Sequence, residues 1–189
     1  MSDNKAGESK YRGRLVSAWQ RLRKHKGYSL LIDVCLILVV FFAVHAWQTR
    51  HLPVDEAAPE TVLALLYGSG MAPAIQPGKA GIVYFFAPWC YYCKTSIDNL
   101  DGMVSSGAVA WGAAVALDYG DTKEVEAFVE ETGVSLPVLL GNAGTAADWS
   151  VRAFPTYYVI NAEGEISSRS VGYSTWLGMR ARAWIADSW

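Results

Sequence analysis

Histidine and cysteine are scarce in this sequence, which holds only three residues of each among 189. No histidine follows His51, and Cys90 and Cys93 are the only cysteines that lie close together. A structural zinc site needs four ligands, usually cysteine and histidine side chains. The chain beyond His51 therefore lacks the ligands for such a site, and we predict no metal site in it.

An excess of charge of one sign is also absent, because 16 basic and 18 acidic side chains leave a formal net charge of −2. Such a balance gives no overall field that would attract a nucleic acid. The basic residues are unevenly spread, since eight of them fall within residues 1–28, where the acidic residues are only Asp3 and Glu8. The N-terminal segment therefore differs in character from the rest of the chain.

Long apolar runs are absent except for one, from Leu30 to Trp47, which only Asp33 and His45 interrupt. As a helix, the roughly 20 residues that begin at Tyr28 would span about 30 Å, the thickness of a bilayer core. Basic residues crowd the N-terminal side of the run, which places the N-terminus in the cytoplasm and the rest of the chain outside it. A cleaved signal peptide is the competing interpretation.

The segment after the apolar run contains Pro53 and Pro59 among small and acidic residues, a composition typical of a tether. We therefore divide the chain into four parts. These are a basic cytoplasmic segment (1–28), a transmembrane anchor (29–47), a linker (48–60) and a folded domain (61–189).

The folded domain alternates apolar runs with helical patterns, which indicates a mixed sheet between helices. Asp121 and Glu124 have the spacing of a capping box, and Ser174 is the expected cap of the closing helix. A turn at 161–164 indicates a hairpin. Strands are predicted near 61–67, 82–86, 109–117, 136–140, 157–160 and 166–173, and helices from the cysteines to about 105, then over 121–133, 146–150 and 175–187.

The two close cysteines follow the apolar run 81–87, where a buried strand is expected to give way to a helix. Thiols at this spacing can close and reopen a small disulfide. The start of a helix exposes unpaired N–H groups and a partial positive charge, which favour a thiolate on the first cysteine. We predict that Cys90 is an exposed nucleophile and that Cys93 resolves the mixed disulfide it forms.

These residues resemble the thioredoxin fold, and more narrowly the membrane-anchored thioredoxin-like proteins of the TlpA/ResA type, over about residues 61–189. The resemblance lies in the ordered combination of Phe85-Phe86-Ala87-Pro88-Trp89-Cys90 with Cys93, the stretch 134–140, and Val151 to Asn161. It implies an α/β, thioredoxin-like fold with a mixed central sheet flanked by helices. It also implies a thiol–disulfide oxidoreductase whose redox group is the Cys90–Cys93 disulfide, with no bound cofactor.

The resemblance further implies roles around the cysteine pair. Trp89 is similar to the aromatic residue that shields one side of the pair, with plain core packing as the alternative. Pro155 resembles the cis proline that faces the pair and leaves the backbone of Phe154 free to bind a peptide. Tyr91 and Tyr92 occupy the two positions between the cysteines, where they either fill the loop or recognise a partner.

The sequence departs from the family pattern in three respects. Ser96 stands where many TlpA/ResA-type reductases have a glutamate, and Tyr84 stands where thioredoxin has its buried acid. Thr156 and Tyr157 stand where the cytochrome c maturation branch has an acidic residue after the proline. The sequence therefore identifies no proton acceptor for the resolving thiol.

The favoured function is reduction of protein disulfides outside the cytoplasm by a domain held at the inner (cytoplasmic) membrane, on the periplasmic side. An integral membrane thiol reductant is the expected electron donor. The alternatives are a disulfide oxidase or isomerase, and a soft-metal module for copper or copper stress, because two thiolates suit Cu(I). A peroxidase is disfavoured because peroxiredoxins have a threonine where Ala87 stands.

Overall fold

The computed structural model describes residues 26–76 and 78–187, which divide into two compact units between Gln48 and Thr49. Most of the basic segment predicted at 1–28 therefore lies outside the described residues, as does Pro77. The described part of the first unit is one helix, α1 (Lys26–Thr49). Its part from Leu30 to Thr49 has a mean hydropathy of 2.5 and is long enough to cross a membrane, although a signal sequence has the same properties.

The second unit is built on one seven-stranded sheet. Its strands are β1 (Val62–Leu65), β2 (Met71–Pro73), β3 (Gly81–Phe86), β4 (Trp111–Ala116), β5 (Val138–Leu140), β6 (Thr156–Ile160) and β7 (Ile166–Val171). They lie in the order β2-β1-β5-β4-β3-β6-β7. Strands β3, β4 and β5 are parallel, whereas β1, β2, β6 and β7 pair antiparallel with their neighbours. The predicted mixed sheet is confirmed.

The helices of this unit are α2 (Tyr91–Lys94), α3 (Ile97–Ser105), α4 (Thr122–Thr132), α5 (Ala143–Asp148) and α6 (Trp176–Asp187). Residues of α3, α4 and α6 share a first core with one face of the sheet. The other face packs in a second core, where Trp149, which directly follows α5, contacts Phe85 and Tyr158 with ring centroids 5.1 and 5.3 Å apart. The sheet is thus covered on both faces, as the thioredoxin-like fold requires.

Strand β3 explains the apolar run in the sequence, because all six of its residues are buried. A strand sends alternate side chains to opposite faces. Tyr84 and Phe86 therefore enter the first core, while Val83 and Phe85 enter the second. Phe86 stacks on the α4 residue Phe128 with ring centroids 4.3 Å apart.

Several predicted boundaries were wrong. The helix expected from the cysteines to residue 105 is broken at Thr95 and Ser96, because the Ser96 hydroxyl bonds to the Tyr92 carbonyl and to a buried tyrosine of β3. Thr175, not Ser174, caps α6, since its hydroxyl accepts a hydrogen bond from the Gly178 N–H at 3.2 Å. The short strand β2 was not predicted from the sequence. Helix α5 also begins earlier than predicted, where the Asn142 side chain caps it.

The segment 48–60, expected to be a linker, packs on the domain over much of its length. Leu52 and Ala58 are buried in the second core. The backbone N–H groups of Asp55 and Ala58 donate to carbonyls of the β6–β7 hairpin at 2.8 and 2.9 Å. Prolines and acidic residues indicated an extended chain, and the structure has one, but its few apolar side chains fix it to the sheet.

Helix α4 provides a test of the local sequence signals. The Asp121 carboxylate accepts hydrogen bonds from the N–H groups of Lys123 and Glu124 at 2.9 and 3.2 Å, and the helix ends at Gly133 with a left-handed φ of 66°. We expect Asp121→Ala to lower the free energy of unfolding by about 1 kcal/mol, since it removes the cap. Urea unfolding followed by tryptophan fluorescence measures this loss. Asp121→Ser, which keeps a capping oxygen, should recover most of the stability, and equal losses in both variants would contradict the capping role.

Candidate functional site

The cysteine pair lies where β3 leaves the sheet and α2 begins. Cys90 is the residue that caps α2, with an extended backbone at φ −79° and ψ 111°. Its N–H donates to the Ala87 carbonyl at 3.0 Å, which closes the short loop after the strand. Cys90 was expected to be exposed, yet only 5% of its surface is accessible, because the loop and neighbouring side chains cover it. A partner must therefore approach its sulfur from one direction.

Cys93 lies one turn further on and is entirely buried. Its backbone N–H donates to the Cys90 sulfur at 3.3 Å, so the two cysteines are joined through the first turn of the helix. Burial, followed by a hydrogen bond with the Cys90 side chain, raises the pKa of the Cys93 thiol well above its ordinary value. Cys93 therefore keeps its proton at neutral pH, which suits a thiol that acts second.

Trp89 projects beside the cysteines and is fixed at two points. Its indole N–H donates to the Asp118 carbonyl at 3.0 Å, and its ring meets the Phe154 ring edge to face at a centroid distance of 5.9 Å. Asp118 adopts a left-handed φ of 51° just beyond β4. Asp118 contributes to this contact through its backbone carbonyl and not through its side chain. Trp89 remains 63% exposed, so it borders the pair instead of filling the core.

The proline predicted to face the pair comes directly before β6. The Phe154–Pro155 peptide bond is cis, as the resemblance implied. Thr156 pairs with Phe85, which places buried Pro155 opposite the end of β3, where the cysteine loop begins. The structure therefore brings together the residues predicted from two separated parts of the sequence.

Tyr91 and Tyr92 stand on the outer side of α2. They are 72% and 60% exposed, and their rings meet edge to face at 5.8 Å. Trp89, which contacts Phe154, directly precedes Cys90 in the chain and the two tyrosines directly follow it, so these four residues form an aromatic rim beside Cys90. We use the term aromatic rim for these four residues below.

A pair of buried hydroxyl groups beneath Cys93 was not predicted. The Tyr84 hydroxyl lies 2.7 Å from the Ser96 hydroxyl and 3.5 Å from the Cys93 carbonyl. Burial, with a smaller effect of the nearby Cys93 thiol, raises the pKa of Tyr84 far above its ordinary value, so the phenol stays neutral. Both residues were noted only as departures from the family pattern. Their contact accompanies the break in the helix at Ser96, which the sequence does not signal.

Charged groups stay away from the buried sulfur. In the described part of the chain, every buried polar side chain is a serine, a threonine or a tyrosine. Lys94 is near in sequence, but its ammonium group forms an ion pair with Glu131 at the surface. Residues 26–76 and 78–187 contain no cluster of three or more His, Cys, Asp or Glu side chains that could hold a metal ion.

We expect the two cysteines to differ sharply in reactivity, because Cys93 is buried and its pKa is raised. In a background with Cys35→Ser, the Cys90→Ser variant should react with iodoacetamide at pH 7 at least about tenfold more slowly than the Cys93→Ser variant, since the thiolate is the nucleophile. Mass spectrometry follows the alkylation. In urea the two rates should converge, and equal rates in the folded protein would contradict the assigned order of the cysteines.

Comparisons with known proteins agree with this geometry. The model of the AhpC/TSA family matches residues 54–169. The thioredoxin-like protein YneN of Bacillus subtilis is 27% identical over 155 residues, covering 77% of this chain and 91% of YneN. The thiol:disulfide interchange protein HelX of Rhodobacter capsulatus is 29% identical over 151 residues, covering 76% of this chain and 84% of HelX.

Solved structures show the same fold. A thiol:disulfide interchange protein of the thioredoxin family from Chlorobium tepidum superposes with a TM-score of 0.61 at 22% identity, covering 71% of this chain and 98% of its own. The family match spans more than half of the chain and includes the cysteine pair and the cis proline. The chain therefore belongs to the AhpC/TSA family, with a thioredoxin-like fold.

Proposed function

We propose that Cys90 and Cys93 are the working pair of this thiol–disulfide oxidoreductase, and that it reduces protein disulfides outside the cytoplasm. The observation that carries the proposal is a buried thiol one helical turn behind a nearly buried one, with Pro155 beside the end of β3 where the cysteine loop begins. This arrangement allows one sulfur to capture a substrate and the other to release it. The names of the relatives, which include thiol:disulfide interchange proteins, support the same chemistry.

The reaction proceeds in two exchanges. The Cys90 thiolate attacks one sulfur of the substrate disulfide, forms a mixed disulfide with it and expels the other sulfur as a thiolate, which takes up a proton. Cys93 then loses its proton and attacks the Cys90 sulfur, which expels the second substrate thiolate. Two electrons pass to the substrate, and the pair ends as the Cys90–Cys93 disulfide.

The surroundings of the pair favour reduction as the direction. A dithiol becomes a strong oxidant when its reduced form is specially stabilised. Here Lys94, the nearest lysine in sequence to the pair, forms an ion pair with Glu131, so its charge is not left to stabilise a Cys90 thiolate. The reduced pair lacks that stabilisation, so its oxidation by a substrate disulfide is favoured.

The apolar helix α1 supports a membrane location for this activity. Its length and hydropathy suit a single span, and the basic residues before it suit a cytoplasmic N-terminus. The second unit would then lie on the periplasmic side of the inner membrane. A disulfide left on the pair after each cycle has to be reduced again, for which an integral membrane thiol reductant is the proposed donor.

The direction of transfer is tested by the reduction potential of the pair. We expect a value near that of thioredoxin, about −270 mV, and far from the strongly oxidising end at about −120 mV. Equilibration of the full chain in detergent with a dithiothreitol redox buffer measures it, with Cys35→Ser as the background. The protein should also reduce insulin with dithiothreitol as the donor, and the Cys90→Ser variant serves as the inactive control. A potential close to −120 mV would overturn the reductase assignment in favour of an oxidase.

The aromatic rim offers an apolar surface to protein substrates. Tyr91, Trp89 and Tyr92 are its most exposed rings, and the two tyrosines lie between the cysteines. We expect the double variant Tyr91→Ser, Tyr92→Ser to lower kcat/KM for insulin about tenfold, and to change the rate with glutathione disulfide less than twofold, because the small disulfide does not span the rim.

The matched control for the rim is Tyr67→Ser. Tyr67 is 58% exposed and follows β1 at the opposite end of the sheet from the cysteines, so its loss should leave both rates unchanged. An equal loss with insulin and with glutathione disulfide in the double variant would show that the tyrosines act on the cysteine pair and not on substrate binding.

A further inference from the structure

The resolving thiol has an unusual polar surrounding. Cys93 has no accessible surface, and a thiol must lose its proton before it can attack the mixed disulfide. No charged side chain is buried in the described residues, so their interior offers no carboxylate, imidazole or amine that could take that proton. The polar side chains beside the turn that follows Cys93 are the hydroxyl groups of Tyr84 and Ser96.

The direction of the hydrogen bonds in this turn can be assigned. Ser96 lies 2.7 Å from the Tyr92 carbonyl, which can only accept, so the serine donates its proton there. The serine oxygen must then accept from Tyr84, whose hydroxyl lies 2.7 Å away. A donor chain thus runs from the phenol through the serine to the carbonyl of α2. The Tyr84 hydroxyl also lies 3.5 Å from the Cys93 carbonyl. The two groups beside the phenol, this carbonyl and the Ser96 hydroxyl, are therefore both on the C-terminal side of the resolving cysteine.

Tyr84 is well suited to hold this turn. It is fully buried in the middle of β3, which is hydrogen-bonded on both edges, so its ring cannot shift without moving the central strand. The turn itself is weak, because α2 has only four residues and the helix breaks before α3. The phenol therefore joins the most rigid strand to the least regular part of the cysteine segment.

We propose that Tyr84 is a positioning residue for Cys93, with its hydroxyl oriented by Ser96 so that the turn between α2 and α3 keeps the resolving sulfur against Cys90. The inference rests on the proposed two-step exchange and assigns the hydroxyl pair to its second step. Because the pair is neutral and holds no base, the Cys93 proton passes to solvent, and the second step accelerates as the pH rises.

The two steps can be measured separately in single-turnover reactions. The reduced full chain in detergent, with Cys35→Ser, is mixed with a peptide disulfide whose two thiols are distinguishable. Release of the first thiol reports capture by Cys90, and release of the second reports resolution by Cys93. We expect Tyr84→Phe to slow resolution about tenfold and Ser96→Ala about threefold, while capture changes less than twofold in both variants.

Tyr158→Phe is the matched control, because Tyr158 is also fully buried, lies on the neighbouring strand β6 and donates its hydroxyl proton to the Trp149 carbonyl in the second core. Its removal takes away a comparable buried hydrogen bond without touching the cysteine turn. The thermal unfolding temperatures of Tyr84→Phe, Ser96→Ala and Tyr158→Phe compare the stabilities of these variants. If Tyr84→Phe slowed both steps equally, or slowed resolution no more than Tyr158→Phe, the positioning role would be overturned.

Two further readouts separate positioning from stability alone. Between pH 6 and 9 the rate of resolution in the unsubstituted chain should rise close to tenfold per pH unit. The reason is that the raised pKa of Cys93 keeps its thiolate fraction proportional to the hydroxide concentration. A plateau of the rate in this range would reveal a buried base and contradict the inference.

At equilibrium with glutathione, Tyr84→Phe should shift the cysteine pair severalfold toward the dithiol, whereas Tyr158→Phe should not. An unsubstituted chain that captures no peptide would overturn the proposed function itself, a result distinct from unchanged resolution in the variants.

Discussion

The pairing of β3 on both of its edges is the interaction on which the site depends. This strand lies between β4 and β6, and each of its residues is buried. Such a strand can neither slip in register nor bend, because a one-residue shift would turn every side chain to the wrong core. Its C-terminal end therefore fixes where the cysteine loop begins, and the start of β6 fixes where Pro155 stands opposite that loop.

The same strand links the site to the interior. Tyr84 lies beneath the cysteines because it points to the face covered by α3, two residues before the end of the strand. Phe86, on the same face, stacks on α4 and closes the core next to the loop. A thiol placed over this apolar and neutral layer is held in its protonated form. In the proposed exchange, the packing of the core and not a dedicated base therefore makes Cys93 the second thiol to act.

Features with a local cause were predictable from the sequence. The buried strands β3 and β4, the cap at Asp121 and the end of α4 at Gly133 all arise from neighbouring residues, and each was found where the pattern indicated. The position of the cysteine pair after a strand was predictable for the same reason, because the end of a buried strand can be recognised from an apolar run and the residues that directly follow it.

Features that depend on distant contacts were not predictable. The break at Ser96 arises from a tyrosine twelve positions earlier, and the support of Trp89 comes from a backbone carbonyl 29 positions later. The packing of residues 48–60 depends on which surface their apolar side chains meet, and composition does not specify a surface. The roles of Tyr84 and Ser96 follow from tertiary geometry alone.

The two borders of the sheet determine whether another polypeptide can add to it as a further strand. Beyond β7, the backbone at residues 55–58 bonds to the hairpin at 164–166 and covers part of that border. On the other side, β2 has only three residues and ends in Pro73, which has no N–H to donate. The open ladder of β2 is therefore short, and the border beside β7 is covered at its N-terminal end. Both features limit the addition of an extended polypeptide as a further strand, and with it self-aggregation.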